Sequence, residues 1–275
     1  MIKRPAFRYH GAKFRLAKWV IENMPPHAKY VESYGGAAGV LLQKERVYAE
    51  VYNDLNGDVV NFFRVIQNAD QRAKLVELCQ LTPYARQEFE LAYEPSDEPV
   101  ERARRLAIRA AMGFGSAGAT KSTTGFRINT DGTYGTAMNN WARYPDCLAA
   151  IGQRMTGVLI ENRPAIGIMQ QHDTPDCLHF VDPPYPHSTR CRKGGAAYAH
   201  EMSEADHVEL LDCVKSLRGM VMLCSYPNDL YSDALADWKL VSTNARKSSV
   251  SGSVMATECM WLNPACCKTR ELKLF

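Results

Sequence analysis

Lys29-Tyr30-Val31-Glu32-Ser33-Tyr34-Gly35-Gly36-Ala37-Ala38-Gly39 decides the fold, together with Arg46-Val47-Tyr48-Ala49-Glu50-Val51-Tyr52-Asn53-Asp54 after it. Lys29–Glu32 reads as a short strand, 34–39 as a glycine turn, and the residues through Lys44 as a helix. Residues 46–52 read as a second strand that closes on Asn53-Asp54. A strand, loop, helix and strand in so short a span predict a parallel sheet. A glycine turn after the first strand lets the backbone approach a ligand closely, and an acid about 20 residues on can hold ribose hydroxyls. Asp54 fits that position relative to Glu32. The pattern G-x-G-x-x-G is absent, which favours a cofactor without pyrophosphate.

Upstream, the apolar spacing of residues 13–22 predicts an amphipathic helix that Pro25-Pro26 ends. Downstream, 57–113 reads mostly as helix, broken by the polar stretch 94–99. Residues 113–140 are rich in Gly, Ser and Thr, a long loop or hairpin of the kind that usually carries function. The α/β rhythm then resumes, with strands expected at 157–161, 178–181, 220–224, 239–243 and 257–262 and a helix at 204–217. The reading is one α/β domain from 1–56 and 151–275, with helices on both faces of its sheet. A mostly helical insertion at 57–150 interrupts it.

Composition excludes several classes. The 275 residues are 46% hydrophobic and 23% charged, with mean hydropathy -0.31, as in an ordinary soluble globule. No apolar run reaches the roughly 18 residues of a membrane span and no apolar signal core is seen, so a cytoplasmic chain is expected. The nine cysteines are odd in number and never spaced C-x-x-C, so buried thiols in a reducing compartment are expected and a metal site is not. Net charge is only +3, but its distribution is uneven. Residues 1–20 hold Lys3, Arg4, Arg8, Lys13, Arg15 and Lys18 with no acid. Residues 101–160 hold eight bases against Glu101, Asp131 and Asp146. Such local excesses point to a polyanionic partner.

The most specific motif is Asp182-Pro183-Pro184-Tyr185, directly after the apolar Leu178-His179-Phe180-Val181. Ligands of open α/β sheets bind beyond the carboxyl ends of strands. Two prolines freeze the turn and remove two donors, Asp182 adds an acceptor, and Tyr185 a flat face. Together they suit a planar ring bearing an amino group. His172, His187 and His207 read as solvated residues rather than general bases, and Ser225-Tyr226-Pro227 as part of the ring pocket or its wall.

In this setting D-P-P-Y resembles the catalytic motif of the S-adenosylmethionine-dependent DNA adenine N6-methyltransferases, the Dam-type group of the D12 class. Arg8-Tyr9-His10-Gly11-Ala12-Lys13 resembles that group's W-x-G-G-K segment, residues 30–37 its E-P-F-x-G loop, and Asn53-Asp54-Leu55-Asn56 its acidic segment. Ser33, Ala12 and Ala38 depart from the pattern; since alanine disfavours positive φ, Gly39 is expected to take the strained position. The resemblance implies a Rossmann-like methyltransferase sheet and S-adenosylmethionine held by Tyr9, Lys13, Glu32, Tyr34, Gly36, Asp54 and Asp182. It implies a flipped adenine in double-stranded DNA, handled by Asp182, Pro183, Pro184 and Tyr185, with 57–150 as the target-recognition region. Arg104, Arg105, Arg127 and Asn129 are the expected DNA contacts, and a monomer or weak dimer in a bacterial or phage-infected cell is expected. The group's R-Y-N and F-N-x-P-F-G segments for GATC are missing, so a different target is expected. Rival readings are a methyltransferase on cytosine N4 or RNA, or a non-catalytic DNA-binding protein on the same scaffold.

Overall fold

The computed structural model describes residues 2–116, 118–120, 123–128, 136–190, 198–249 and 252–271. Its strands are β1 (Lys29–Glu32), β2 (Ala49–Asn53), β3 (Leu159–Glu161), β4 (Cys177–Val181), β5 (Met220–Ser225), β6 (Lys239–Ser249) and β7 (Gly252–Leu262). They form one sheet in the order β3-β2-β1-β4-β5-β7-β6. The first five pair in parallel, whereas β7 is antiparallel to both β5 and β6. This is the expected Rossmann-like sheet. Every strand of β4 and β5 is buried along its length, as in parallel sheets covered on both faces.

Side-chain alternation sorts the strands into two cores. Met220, Met222 and Cys224 of β5 join Tyr30, Tyr52, Leu178 and Phe180 on one side. Val221 and Leu223 join Leu210, Tyr231 and Trp261 on the other. The first core continues without a break into Phe62, Phe63, Leu106 and Ile151 of the helices Gly57–Gln67, Pro99–Met112 and Pro145–Met155. A buried ion cluster adds a polar tie: Glu50 of β2 accepts from Lys44 at 2.7 Å and from Arg154 at 2.6 and 2.8 Å. The helices of 57–155 therefore pack directly on the sheet.

Two local expectations are corrected. The residues after the glycine turn form successive turns, not a helix. Ala38 itself takes the left-handed conformation, with φ 54°, and Gly39 does not. Gly39 is required for a different reason, since a Cβ there would stand 2.7 Å from the Phe14 backbone nitrogen. The first helix also begins later than expected, at Ala17, after a 3-10 turn at Lys13–Arg15. Strands β6 and β7 run well past their expected lengths, joined in one antiparallel backbone ladder from Lys239↔Leu262 to Ser249↔Gly252. All the described cysteines are free thiols. No helix among the described residues is long and apolar enough to cross a membrane.

What matters for the site is the neighbourhood of β1. Its chain goes on to β2 on one side, while β4 lies on the other. At such a reversal the loops leaving the two strand ends part company and leave a crevice. Glu32 and Asp182 sit at the two lips.

Candidate active site

A cavity of about 440 Å³ opens at that crevice, within the range of small-molecule sites. Tyr9, Lys13, Glu32, Tyr34, Gly36, Asp54 and Asp182, the residues expected around the cofactor, all line it. So does Pro184, whereas Pro183 is buried beneath the surface. Sequence reasoning missed the opposite wall, made by Pro164–Gly167, by Tyr198–Met202 and by Asp206 and Glu209 of the helix Glu204–Ser216. Those residues lie in no motif, and only the folded chain brings them here.

The glycine loop and Asp54 form one unit. Gly36 has φ 47°, and a Cβ on it would come within 2.8 Å of the Tyr9 ring. Its N–H donates to Asp54 Oδ2 at 2.8 Å, and the Asn56 N–H donates to Asp54 Oδ1 at 2.8 Å. A carboxylate offers about four lone-pair sites, so each oxygen keeps capacity for a ribose hydroxyl. The Ala12 departure has no conformational cost, since its φ of -54° is ordinary.

The centre of the site is ionic. The Lys13 ammonium is 5% exposed and lies 2.8 Å from Asp182 Oδ1 and 3.8 Å from Glu258 Oε2. Burial works against its charge, but the two carboxylates outweigh burial and raise its pKa. Burial pushes the Asp182 carboxyl up, against the pull of Lys13. Lys13 therefore serves Asp182 first, rather than standing free beside the methionine end of a cofactor. Among the described residues Asp182 Oδ2 has no partner, and the carboxylate opens on the cavity. Tyr185, 7% exposed, does not line it. The Lys13 ammonium stands 4.8 Å over its ring, and Tyr226 meets it edge-on at 4.7 Å; Ser225, Tyr226 and Pro227, expected in the ring pocket or its wall, do not line the cavity.

The donor set fits S-adenosylmethionine. Its sulfonium is a cation, and among the described lining residues the acids Asp54, Asp182, Asp206 and Glu209, with Glu201 already paired to Arg190 and Glu32 held protonated by burial, outnumber the one lysine, Lys13. The missed member of the centre is Glu258 on β7, 8% exposed. Its signal in the sequence is a lone acid in the otherwise uncharged Thr257-Glu258-Cys259-Met260-Trp261-Leu262, where a buried charge requires partners.

The DNA-contact expectations divide. Arg104 and Arg105 are corrected: both are internal cations. Arg104 holds Glu101 at 2.7 Å and Glu88 at 2.9 Å, and Arg105 holds Glu101 at 2.7 Å, with side chains only 12% and 15% exposed. Arg102 and Arg109 are likewise spent on Asp58, and Arg154 on Glu50. Five of the eight bases in 101–160 are thus paired with acids of the fold. Arg127 lies at the end of a described segment that pairs with Met112 and Phe114, while Asn129 lies outside the described residues. Of the histidines, His207 is buried against the Tyr231 hydroxyl at 2.9 Å rather than solvated, and burial lowers it to about 4.

A family model described as D12 class N6 adenine-specific DNA methyltransferase matches residues 9–249. A search of curated proteins found no match.

The buried Glu32 makes the fold sensitive to pH. Its Oε2 accepts from the Tyr30 hydroxyl at 2.7 Å and the Leu41 N–H at 2.9 Å, yet burial lifts the carboxyl to about 8. The unfolded chain releases this proton in the ordinary carboxylate range. Between that range and about 8 the native state binds more protons, so this group's contribution to stability falls as pH rises. Glu32→Gln keeps the acceptor and removes the titration. Thermal unfolding from about pH 5 to pH 8 is expected to show the variant gaining on the wild type as pH rises; a constant difference would contradict the assignment.

Proposed function

The chain belongs to the D12 class of N6 adenine-specific DNA methyltransferases, and from that premise we propose how its residues divide the reaction. The enzyme methylates N6 of adenine in DNA, with S-adenosylmethionine as methyl donor. When bound, the donor supplies a methyl group made electrophilic by a sulfonium. Everything else falls to the chain. Asp54 holds the ribose hydroxyls, the Gly36 turn and Tyr34 line the path of the nucleoside, and Tyr9 flanks the methionine end. The acids of the lining favour the cation over the neutral product.

The target amine lies inside the base stack, so the adenine is flipped into the cavity. Asp182 Oδ2 accepts one of its N–H groups and the Pro183 carbonyl, reached only as the buried turn around it gives way, accepts the other, which draws the nitrogen lone pair out of ring conjugation and aims it at the methyl. Lys13 keeps Asp182 ionised for that task. Tyr185 gives the ring a flat surface; at 7% exposure it is reached only as the side chains around it give way. Alignment of the two reacting atoms supplies much of the rate. The observation that carries this assignment is the division of one carboxylate, with Oδ1 tied to Lys13 and Oδ2 unengaged at the cavity.

Region 57–150 is the proposed target-recognition region, but the cations that meet phosphate are not those of its core. Burial, then Arg127 and Arg15, lower the Arg8 pKa, and no carboxylate ranks among the main influences on it. Its Nη1 is buried without a hydrogen-bond partner among the described residues. Tyr9 and His10, next to it in the chain, line the cavity, and His10 Nδ1 meets the Ser116 hydroxyl at 3.5 Å. Arg8 feels the charge of Arg127 and Arg15, and these three are the proposed cationic rim for the backbone of a flipped nucleotide. A target other than GATC is part of this proposal.

Tritiated methyl transfer to duplex DNA, with nucleoside mass spectrometry of the product, is the test. N6-methyladenine is expected from the wild type, and Asp182→Ala is expected to fall below a few per cent of it while still binding donor; N4-methylcytosine or an active variant would refute the roles. DNA methylated in this way is expected to resist an endonuclease that cuts only methylated GATC, and complete cutting would refute the altered target. For the rim, log affinity against log salt is expected to lose about 0.9 of slope for each phosphate contact removed in Arg8→Gln and Arg127→Gln. An unchanged slope would place the backbone elsewhere.

A further inference from the structure

Tyr185 has one hydroxyl proton and two carboxylates within reach. Its oxygen is 2.8 Å from Glu258 Oε2 and 3.2 Å from Asp182 Oδ1. A hydroxyl donates once, so the nearer Glu258 takes the bond. Glu258 also bonds the Tyr226 hydroxyl and stands 3.8 Å from the Lys13 ammonium. It occupies β7 opposite Thr243, and its neighbour Cys259 pairs with Ser225 at the end of β5. The rigid interior of the sheet therefore fixes its position against the loop that carries Asp182.

We propose that Glu258 is a positioning residue that keeps Asp182 free for the adenine amino group by drawing the Tyr185 and Tyr226 hydroxyls to itself. Without it, the Tyr185 proton turns to Asp182 Oδ1, where Lys13 already donates. The carboxylate is then more heavily hydrogen-bonded and a poorer acceptor at Oδ2. The Lys13 ammonium loses its second counter-charge and draws closer to Asp182, with the same effect. Glu258 touches neither donor nor base in this scheme. The inference rests on the assignment of Asp182 as the amine acceptor.

The test is steady-state methyl transfer by the full chain, with donor affinity measured separately. Glu258→Ala is expected to lower kcat roughly 10- to 100-fold, the scale of a lost hydrogen bond to a charged group, with donor affinity changed less than about threefold. Glu258→Gln, which keeps an acceptor for Tyr185, is expected to recover most of the loss. The decisive arm is Tyr185→Phe in the Glu258→Ala background. If the stray hydroxyl is what burdens Asp182, removing it raises kcat above that of Glu258→Ala alone; a purely structural role would make the two losses accumulate. Full activity in Glu258→Ala, a Gln variant as slow as the Ala variant, or losses that accumulate would each overturn the proposal. Should Glu258→Ala fail to fold, the Gln variant alone decides: kcat within about threefold of wild type supports the proposal, and an Ala-scale loss overturns it. A wild type that methylates no adenine would refute the underlying reading instead.

Discussion

The Lys13–Asp182 ion pair is the constraint around which the site is arranged. It joins the N-terminal segment to the carboxyl end of β4, two parts of the chain far apart in sequence, at the point where the strand order reverses. Removing either partner would leave a charge nearly cut off from water, which is far more costly than losing an exposed pair. Its geometry also sets the chemistry. One carboxylate oxygen is committed to the ammonium, and the other has no partner among the described residues of a side chain that lines the cavity.

That pair is held from several sides. Gly39 permits the loop after β1 to press against Phe14, beside Lys13, and Ala38 accepts a left-handed backbone to make the turn. Glu258 brings a second carboxylate from β7. The two prolines after Asp182 give it a stiff tether. The remaining acids of the cavity are Glu32 at the end of β1, Asp54 after β2, Glu201, and Asp206 and Glu209 of the helix Glu204–Ser216, so distant parts of the chain contribute them. In the proposed reading the two ligands are separated by charge, with the sulfonium in the acidic pocket and the phosphate chain against the proposed cationic rim.

Much of this was legible in the residues. The central strands announce themselves because parallel strands covered on both faces are continuous apolar runs, and Asp182-Pro183-Pro184-Tyr185 marks the end of one. The spacing from Glu32 to Asp54 predicts the acid that meets the glycine loop. Other features depend on contacts that no local pattern carries. Arg104 and Arg105 look like free cations in a basic stretch, yet Glu88 and Glu101 neutralise them in the fold. The helix expected before Lys44 gives way to turns because Glu32 captures the Leu41 N–H and Ala38 leaves the helical region. Glu258 was hidden by distance, being 76 positions from Asp182 in the chain and beside it in space.

The dependence of kcat on pH in Lys13→Met tests the central claim most directly. Lys13 holds Asp182 ionised against burial, so losing the ammonium is expected to move the acidic limb of the profile to higher pH by about one unit or more, with activity recovering as pH rises. The fold and donor binding serve as controls in the same samples. A Lys13→Met profile that overlays the wild type would show that Asp182 does not rely on the ion pair, and would contradict the account.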